Sequence, residues 1–165
     1  MTERWLPVVG YEELYEVSDH GRVRSLDRWV TNGRGMRLVA GQEMSLLALN
    51  HGHLVAQLSR DGVNSKILVH RLVLEAFVGP CPDGQHGLHY NDVPTDNRLE
   101  NLRWGTVSEN RYDCVRNGNH VNARKNECPQ GHSLVPNPYA PGTRFCRVCR
   151  NEANRRYRQR QKVRA

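Results

Sequence analysis

The sequence has little hydrophobic material and no long hydrophobic run. Only 38% of its 165 residues are hydrophobic, and the mean hydropathy is −0.73. No apolar segment approaches the ~20 residues that a membrane-spanning helix needs, and the N-terminus lacks the basic and then apolar layout of a signal peptide. A chain this polar buries only a modest core, so we expect small, separately stabilised modules rather than one large domain.

Cysteine is scarce too, and its number is odd. Three of the five cysteines fall in the last forty residues. An odd count argues against a framework of paired disulfides, and clustered cysteines are typical of metal ligation. We therefore expect a soluble protein of a reducing compartment that binds a metal near its C-terminus.

Acidic residues are too few to balance the basic ones. The chain has 24 Lys and Arg against 17 Asp and Glu, a formal net charge of +7 and a pI of about 9.5. This excess predicts a polyanionic partner, and both nucleic acid and an anionic membrane would fit it. Nucleic acid is favoured, because no segment is apolar enough to span a bilayer.

We divide the chain into three segments and predict the α+β class. Residues 1–48 alternate short runs of β-forming residues with glycine, which predicts a small sheet. Residues 49–118, with a core at 69–117, begin with two β-rich runs around a turn at 60–64, and a helix then follows up to Phe77. Residues 119–165 begin as a polar linker.

A second helix in the central segment is marked by its ends. Thr106 with Glu109 three residues later forms a capping box, and Asn117 and Gly118 supply the matching stop. Asn110 therefore lies in the first full turn of a helix.

An ordered series of polar residues around this helix could perform chemistry. Hydrolysis of a phosphodiester needs a base to activate water and a cation to offset the developing charge. Histidine, with an unperturbed pKa of about 6.5, suits the role of base. A hard cation such as Mg²⁺ prefers oxygen ligands, which Asp and Asn side chains supply. Single residues of this kind usually serve turns, so the prediction rests on the ordered set.

The members of the set run in order along the central segment: Val69, His70, Arg71, Leu72, Val73, Ala76, Phe77, Val78, His89, Asn97, Arg98, Leu99, Glu100, Asn101, Leu102, Trp104, Glu109 and Asn110. Together they resemble an HNH endonuclease domain of the kind found in phage and intron homing endonucleases. The resemblance implies a ββα-metal core in which His89 is the general base and Asn101 orients its imidazole. It also implies that Asn110 binds Mg²⁺ or Mn²⁺, and that Asn97 is structural.

Position 88 departs from the family pattern. Many members carry Asp or Asn there as a ligand of the cation, whereas this chain has Leu88. Asp92 is the residue that we expect to replace it, with Asn91, His86 or a water-mediated contact as alternatives. Loss of the ligand would also fit a catalytically inactive domain that keeps the fold.

The N-terminal segment contains a second ordered pattern. Its positions are Trp5, Pro7, Gly10, Tyr11, Glu12, Leu14, Tyr15, Glu16, Val17, Ser18, Gly21, Arg22, Val23, Arg24 and Ser25. They resemble the modular DNA-binding motif that often precedes the HNH domain, which favours phosphate binding over a purely structural sheet. The candidate phosphate contacts of the first two segments are Arg22, Arg24, Arg28, Arg98 and Arg103. We interpret His51 and His53 as structural.

Two short ligand pairs lie in the C-terminal segment. Cys128 and His132 form the first, and Cys146 and Cys149 form the second about a dozen residues later. Three thiolates and one imidazole suit a closed, structural Zn²⁺ site, here a zinc knuckle. Because the segment is poor in apolar residues, metal binding would supply most of its folding free energy.

A strongly basic run follows the last cysteine. Residues 150–164 carry seven Lys or Arg residues against one Glu, with no Pro or Gly, which predicts a basic helix. The candidate phosphate contacts on it are Arg155, Arg156, Arg158 and Arg160. A frayed, solvated tail is the alternative.

These patterns together predict a metal-dependent endonuclease that hydrolyses double-stranded DNA. By resemblance we expect a phage-encoded cytoplasmic protein, and a single active site predicts a monomer that nicks one strand. A catalytically inactive DNA-binding protein on the same fold is the main alternative. An RNA-binding module ranks last, because the chain lacks the paired aromatic motifs of single-strand RNA readers.

Overall fold

The computed structural model describes residues 2–31, 33 and 35–164, and the chain forms two compact units, Met1–Asn117 and Gly118–Ala165. The elements of the first unit are β1 (Trp5–Pro7), β2 (Tyr15–Ser18), β3 (Val23–Ser25), β4 (Arg28–Thr31), β5 (Met36–Val39), β6 (Leu47–Ala48), β7 (Leu54–Arg60), β8 (Val63–Leu68), α1 (Val69–Phe77), β9 (His86–His89), a 3₁₀ turn (Leu99–Asn101), β10 (Leu102–Gly105) and α2 (Val107–Arg116). Those of the second unit are α3 (Val121–Arg124), β11 (Val135–Pro136), β12 (Arg144–Phe145) and α4 (Arg147–Arg164). The α+β prediction is confirmed.

The strands described in the first unit form four small antiparallel sheets. Their orders are β1-β2-β3, β4-β5, β6-β7-β8 and β9-β10. The β7–β8 hairpin turns at Asp61 and Gly62, whose φ values are 52° and 78°. A two-residue hairpin turn of this hand needs positive φ at both positions, and Asp-Gly is among the sequences that favour it. The turn predicted at 60–64 is present.

One hydrophobic core joins the N-terminal sheet to the elements that follow it. Val17 and Val23 of sheet β1-β2-β3 are fully buried in the same cluster as Leu58 of β7 and Val69 and Val73 of α1. We expected modules with separate cores. A three-stranded sheet this short cannot bury its apolar face alone, so it packs on the elements of the next segment. The predicted segment boundaries stay predictions.

Strands β9 and β10 and helix α2 form a ββα arrangement at the end of the first unit. Strand β9 pairs antiparallel with β10, with His89 opposite Leu102. Helix α2 then begins with the predicted capping box, because the Thr106 hydroxyl accepts from the Glu109 N–H and the Glu109 carboxylate accepts from the Thr106 N–H. The helix ends at Arg116. The HNH resemblance implied this arrangement.

The second unit is a short hairpin followed by a long basic helix. Strand β11 pairs with β12, and α4 continues for 18 residues. None of the described residues of this unit belongs to the buried hydrophobic core. Among the helices of either unit, as far as their residues are described, none is long and apolar enough to cross a membrane.

Candidate active site

His89 stands at the end of β9, and its side chain is held in a defined orientation. The residue is only 6% exposed, and its Nε2 lies 3.2 Å from Oδ1 of Asn97. An amide oxygen can only accept a hydrogen bond, so this contact fits the tautomer with the proton on Nε2 and a lone pair on Nδ1. A general base needs such a lone pair to accept a proton.

The surroundings of His89 favour its neutral form. Burial lowers the pKa of the imidazole below its ordinary value. The hydrogen bond to Asn97 raises the pKa and offsets part of this effect, whereas the nearby His53 lowers the pKa further. The net direction is downward, so the ring is unprotonated at neutral pH and able to accept a proton from water.

The contacts of two asparagines differ from those that the resemblance implied. Asn97, expected to be structural, is the partner of His89. Asn101, expected to orient His89, instead accepts from the Asn91 N–H at 3.1 Å and donates through Nδ2 to Oδ1 of Asn91 and to the Asp96 carbonyl. The amide of Asn101 thus closes the loop between β9 and β10, and its catalytic role stays a prediction.

A turn of the N-terminal sheet supports Asn97 from behind. At Gly21, where φ is 80°, an added Cβ would lie 2.6 Å from Cβ of Asn97 and 2.9 Å from its carbonyl oxygen. Next to this contact, the Leu99 N–H donates to the Asp19 carbonyl at 2.8 Å. The N-terminal sheet thus fixes the position of the loop residue that holds His89.

Replacing Gly21 by alanine should therefore affect both stability and DNA cleavage. The matched control is Gly10→Ala, because Gly10 has φ of 79° but nothing within 4 Å of its added Cβ. Both variants lose about 1–2 kcal/mol from the left-handed backbone. Gly21→Ala should lose about 1–3 kcal/mol more from overpacking, measured by urea unfolding, and should cleave more slowly. Equal losses in the two variants would contradict the contact.

The base borders a cleft that also presents oxygen ligands. The cleft has a volume of about 310 Å³, and its lining includes His53, His86, Leu88, His89, Asp92, Asn110 and Cys114. Asn110 lies in the first turn of α2, and its side chain makes no hydrogen bond to any residue that the structure describes. The Asp92 carboxylate accepts from Nδ2 of Asn117 at 3.1 Å.

The contacts around the cleft reduce the number of residues that could replace Leu88 as a ligand of the catalytic cation. Asn91 is occupied in the loop, where its Oδ1 accepts from the Val93 N–H and its Nδ2 donates to Asp96. Among the candidate side chains, His86 and Asp92 remain, and both line the cleft; a water-mediated contact stays the other alternative. A hard divalent cation prefers oxygen to nitrogen, so the carboxylate of Asp92 and the amide oxygen of Asn110 form a donor set that fits Mg²⁺ or Mn²⁺.

The arginines predicted to contact DNA in the first unit are mostly engaged in ion pairs. The pairs are Arg22 with Glu3 and Glu43, Arg24 with Glu16, Arg98 with Asp96 and Glu100, and Arg103 with Asp113 and Glu109. Arg28 lies 5.8 Å from the centre of the Tyr15 ring. The Arg103 side chain is only 20% exposed and lies 2.6 Å from the buried Asp113 carboxylate. It joins β10 to α2, and its contact with DNA stays a prediction.

The four predicted zinc ligands come together in the second unit. Sγ of Cys128 lies 3.5 Å from Nδ1 of His132 and 3.8 Å from Sγ of Cys149, and the latter two atoms are 3.4 Å apart. Cys146 belongs to the same cluster. Tetrahedral Zn²⁺ with Zn–S of about 2.3 Å places its sulfur ligands about 3.8 Å apart. The spacing of the Cys128, His132 and Cys149 donors therefore fits tetrahedral Zn²⁺.

The basic helix α4 offers unpaired positive charge. Arg156 pairs with Glu152 one turn earlier. Arg155, Arg158 and Arg160 are exposed and form no ion pair with other described residues. These three side chains are therefore free to contact phosphate.

Comparison with known proteins identifies two modules of the chain. Residues 68–112 match the family model of HNH endonucleases, and residues 3–59 match the NUMOD4 motif. The protein carries an HNH endonuclease domain behind an N-terminal NUMOD4 motif, as the resemblance indicated. A solved structure of the HNH homing endonuclease I-HmuI, described as showing DNA binding and cleavage, has a TM-score of 0.58 and 26% identity to this chain. The match covers 71% of this chain and 60% of that one. No curated protein matches the chain.

Proposed function

We propose that this protein is a metal-dependent endonuclease that hydrolyses phosphodiester bonds of double-stranded DNA. The proposal rests chiefly on one observation, the buried His89 with its Nε2–H directed to Asn97 at the wall of a cleft that also presents Asp92 and Asn110. A positioned neutral imidazole beside oxygen ligands is the arrangement that hydrolysis of a phosphodiester needs.

Each side chain has a defined part in the proposed reaction. Nδ1 of His89 removes a proton from the attacking water. Asn97 accepts from Nε2–H throughout, so it keeps the ring in place and stabilises the imidazolium that forms. Asp92 and Asn110 would hold Mg²⁺ or Mn²⁺, which supplies charge stabilisation to the phosphate and to the leaving 3′-oxygen when bound.

One such site cuts one strand. The two strands of a duplex run in opposite directions, so each needs its own oriented base. We therefore propose that the chain nicks DNA as a monomer, and that a double-strand break needs two events or two chains. Inside the cell we place the reaction in the cytoplasm, where DNA of an infecting phage or of its host would be the substrate.

The exposed arginines of α4 are the proposed phosphate contacts outside the cleft. Arg155, Arg158 and Arg160 have no acidic partner among the described residues, in contrast to the paired arginines of the first unit. Such contacts strengthen binding to any sequence rather than reading bases.

The proposal is tested with supercoiled plasmids that carry a library of random inserts. With Mg²⁺ or Mn²⁺ the protein should produce nicked circles, and a chelator should abolish them. Sequencing of the nicked ends then gives the target. Leu88, which replaces a metal ligand of many family members, favours a second candidate, a DNA-binding protein without activity. Binding in a gel shift with no nicking of any library member would establish that second function and overturn the first.

Asn110→Ala should raise the Mg²⁺ concentration needed for half-maximal cleavage. Loss of an outer-shell partner of a metal site costs about 10–100-fold in affinity, and a direct ligand should cost at least as much. Ser108→Ala is the control, because Ser108 belongs to the same helix but does not line the cleft. An unchanged Mg²⁺ titration of the Asn110 variant would exclude this residue as a ligand.

A further inference from the structure

Three histidines from distant parts of the first unit meet at the base of the cleft. His53 precedes β7, His70 lies in the first turn of α1, and His89 ends β9. The ring centroids are 5.4 Å apart for His53 and His70, 5.7 Å for His53 and His89, and 5.1 Å for His70 and His89. One ring nitrogen of each residue lies within 4.8 Å of those of the other two.

Nδ1 of the buried His70 takes part in no hydrogen bond among the described residues. The residue is 5% exposed, and Nδ1 itself is buried. Gly87 packs directly on the ring, since a Cβ there would lie 2.5 Å from Cδ2 of His70. Buried polar atoms are rarely left unpaired, so an unpaired imidazole nitrogen beside two other histidines points to a ligand.

The three rings are suited to a cation of intermediate softness. A neutral imidazole has one ring nitrogen with a lone pair to donate to a metal ion. Imidazole nitrogens favour Zn²⁺ and its neighbours over Mg²⁺, which prefers oxygen.

We propose that His53, His70 and His89 bind Zn²⁺ or a similar transition-metal ion, and that this ion inhibits the enzyme. The inhibition rests on the nuclease function proposed above, whereas the binding does not. Tetrahedral Zn²⁺ with Zn–N of about 2.1 Å needs ligand nitrogens about 3.4 Å apart. Rotations of the side chains would have to close the present spacing of up to 4.8 Å, and water would take the fourth position. The ion can enter through the cleft, because His53 and His89 both line it.

Binding of the ion is incompatible with general-base catalysis by His89. A neutral imidazole has a single lone pair. If Nδ1 binds the ion, no lone pair is left to accept the proton of water. If Nε2 binds it, the hydrogen bond to Asn97 is lost and the ring is no longer held. With the ion on either nitrogen, His89 can no longer act as the general base.

The binding is tested on the full-length chain with its zinc knuckle loaded. Excess Zn²⁺, counted by native mass spectrometry, should give two ions on the wild type and one on His53→Gln and His53→Asn. The control His51→Gln should keep two, because His51 is exposed and outside the cluster. With Co²⁺, filling of the histidine site should add visible absorption without new thiolate-to-metal charge transfer. One ion on the wild type, or two on both His53 variants, would overturn the site.

The inhibition is tested by cleavage assays in excess Mg²⁺, with each variant normalised to its own rate without Zn²⁺. The Zn²⁺ concentration for half inhibition should be at least about 10–100-fold higher for folded His53→Gln than for the wild type. Equal sensitivity would overturn the inhibitory role. A chain that binds two ions but cuts no DNA would leave the metal site standing and refute the nuclease function alone.

Discussion

His89→Ala should lower the rate of DNA cleavage by about 10²–10⁴-fold, the usual contribution of a positioned general base. Affinity for DNA in a gel shift should be unchanged, since the residue is buried at the floor of the cleft rather than on a charged surface. The measurement is single-turnover nicking of a plasmid that carries the identified target, at saturating Mg²⁺.

The control for this variant is His51→Ala, an exposed histidine outside the cleft, which should cleave at the wild-type rate. The cleavage rate of Asn97→Ala should lie between those of His89→Ala and His51→Ala, because the His89 imidazole is then present but free to rotate. Cleavage that survives His89→Ala would leave the endonuclease standing but would assign the base to another group, and His86 would be the next candidate at the cleft wall.

The pH dependence of cleavage should show that the base is buried. Burial lowers the pKa of His89 below its ordinary value, and only the unprotonated ring can act. The wild-type rate should therefore persist as the pH falls through about 6.5, where an exposed imidazole is half protonated, and should decline only at lower pH. The Asn97 hydrogen bond raises this pKa, so Asn97→Ala should move the decline to still lower pH. A decline centred above 6.5 would contradict the burial argument.

The parts of the molecule that were predicted correctly depend on neighbouring residues in the chain. The capping box of α2 involves two residues three positions apart, and the turn between β7 and β8 needs only Asp61 and Gly62. Backbone geometry within one turn decides such features, so a short window of sequence is enough to predict them.

The partner of His89 could not be predicted in this way. Asn97 and Asn101 are both buried amides on one loop, and only the folded loop decides which of them reaches the imidazole. That choice also depends on Gly21, which lies 76 positions earlier in the chain and packs on Asn97. The histidine cluster has the same origin, because the chain reversals that bring His53 and His70 to His89 involve several sheets.

The bounds of short strands with exposed faces are hard to predict for a different reason. Strands β4 and β5 pair along their length but expose Trp29, Met36 and Leu38. Because neither face is consistently buried, the alternation of polar and apolar residues that marks a strand is weak there. Cross-strand hydrogen bonds, which leave no mark on composition, define this hairpin.

Cys146→Ser should unfold the second unit and leave the first intact. Cys146 lies between β12 and α4, and its Sγ accepts from the Cys149 N–H at 3.3 Å. It therefore links the hairpin of this unit to the helix. No described residue of this unit contributes to the buried core. Zn²⁺ binding, worth about 10–16 kcal/mol in small zinc modules, would therefore be the main stabilising term.

Two measurements distinguish this result from a general loss of stability. In two-dimensional NMR spectra of Cys146→Ser, the signals of residues 126–150 should collapse to random-coil positions, while those of the first unit and its urea unfolding curve stay unchanged. The bound zinc should fall by one ion per chain. Cys81→Ser, which removes a free thiol of the first unit, should change neither quantity. A Cys146→Ser chain that keeps its zinc and its dispersed signals would show that three ligands suffice or that the unit has another source of stability, and the zinc knuckle would lose its role as the element that folds this unit.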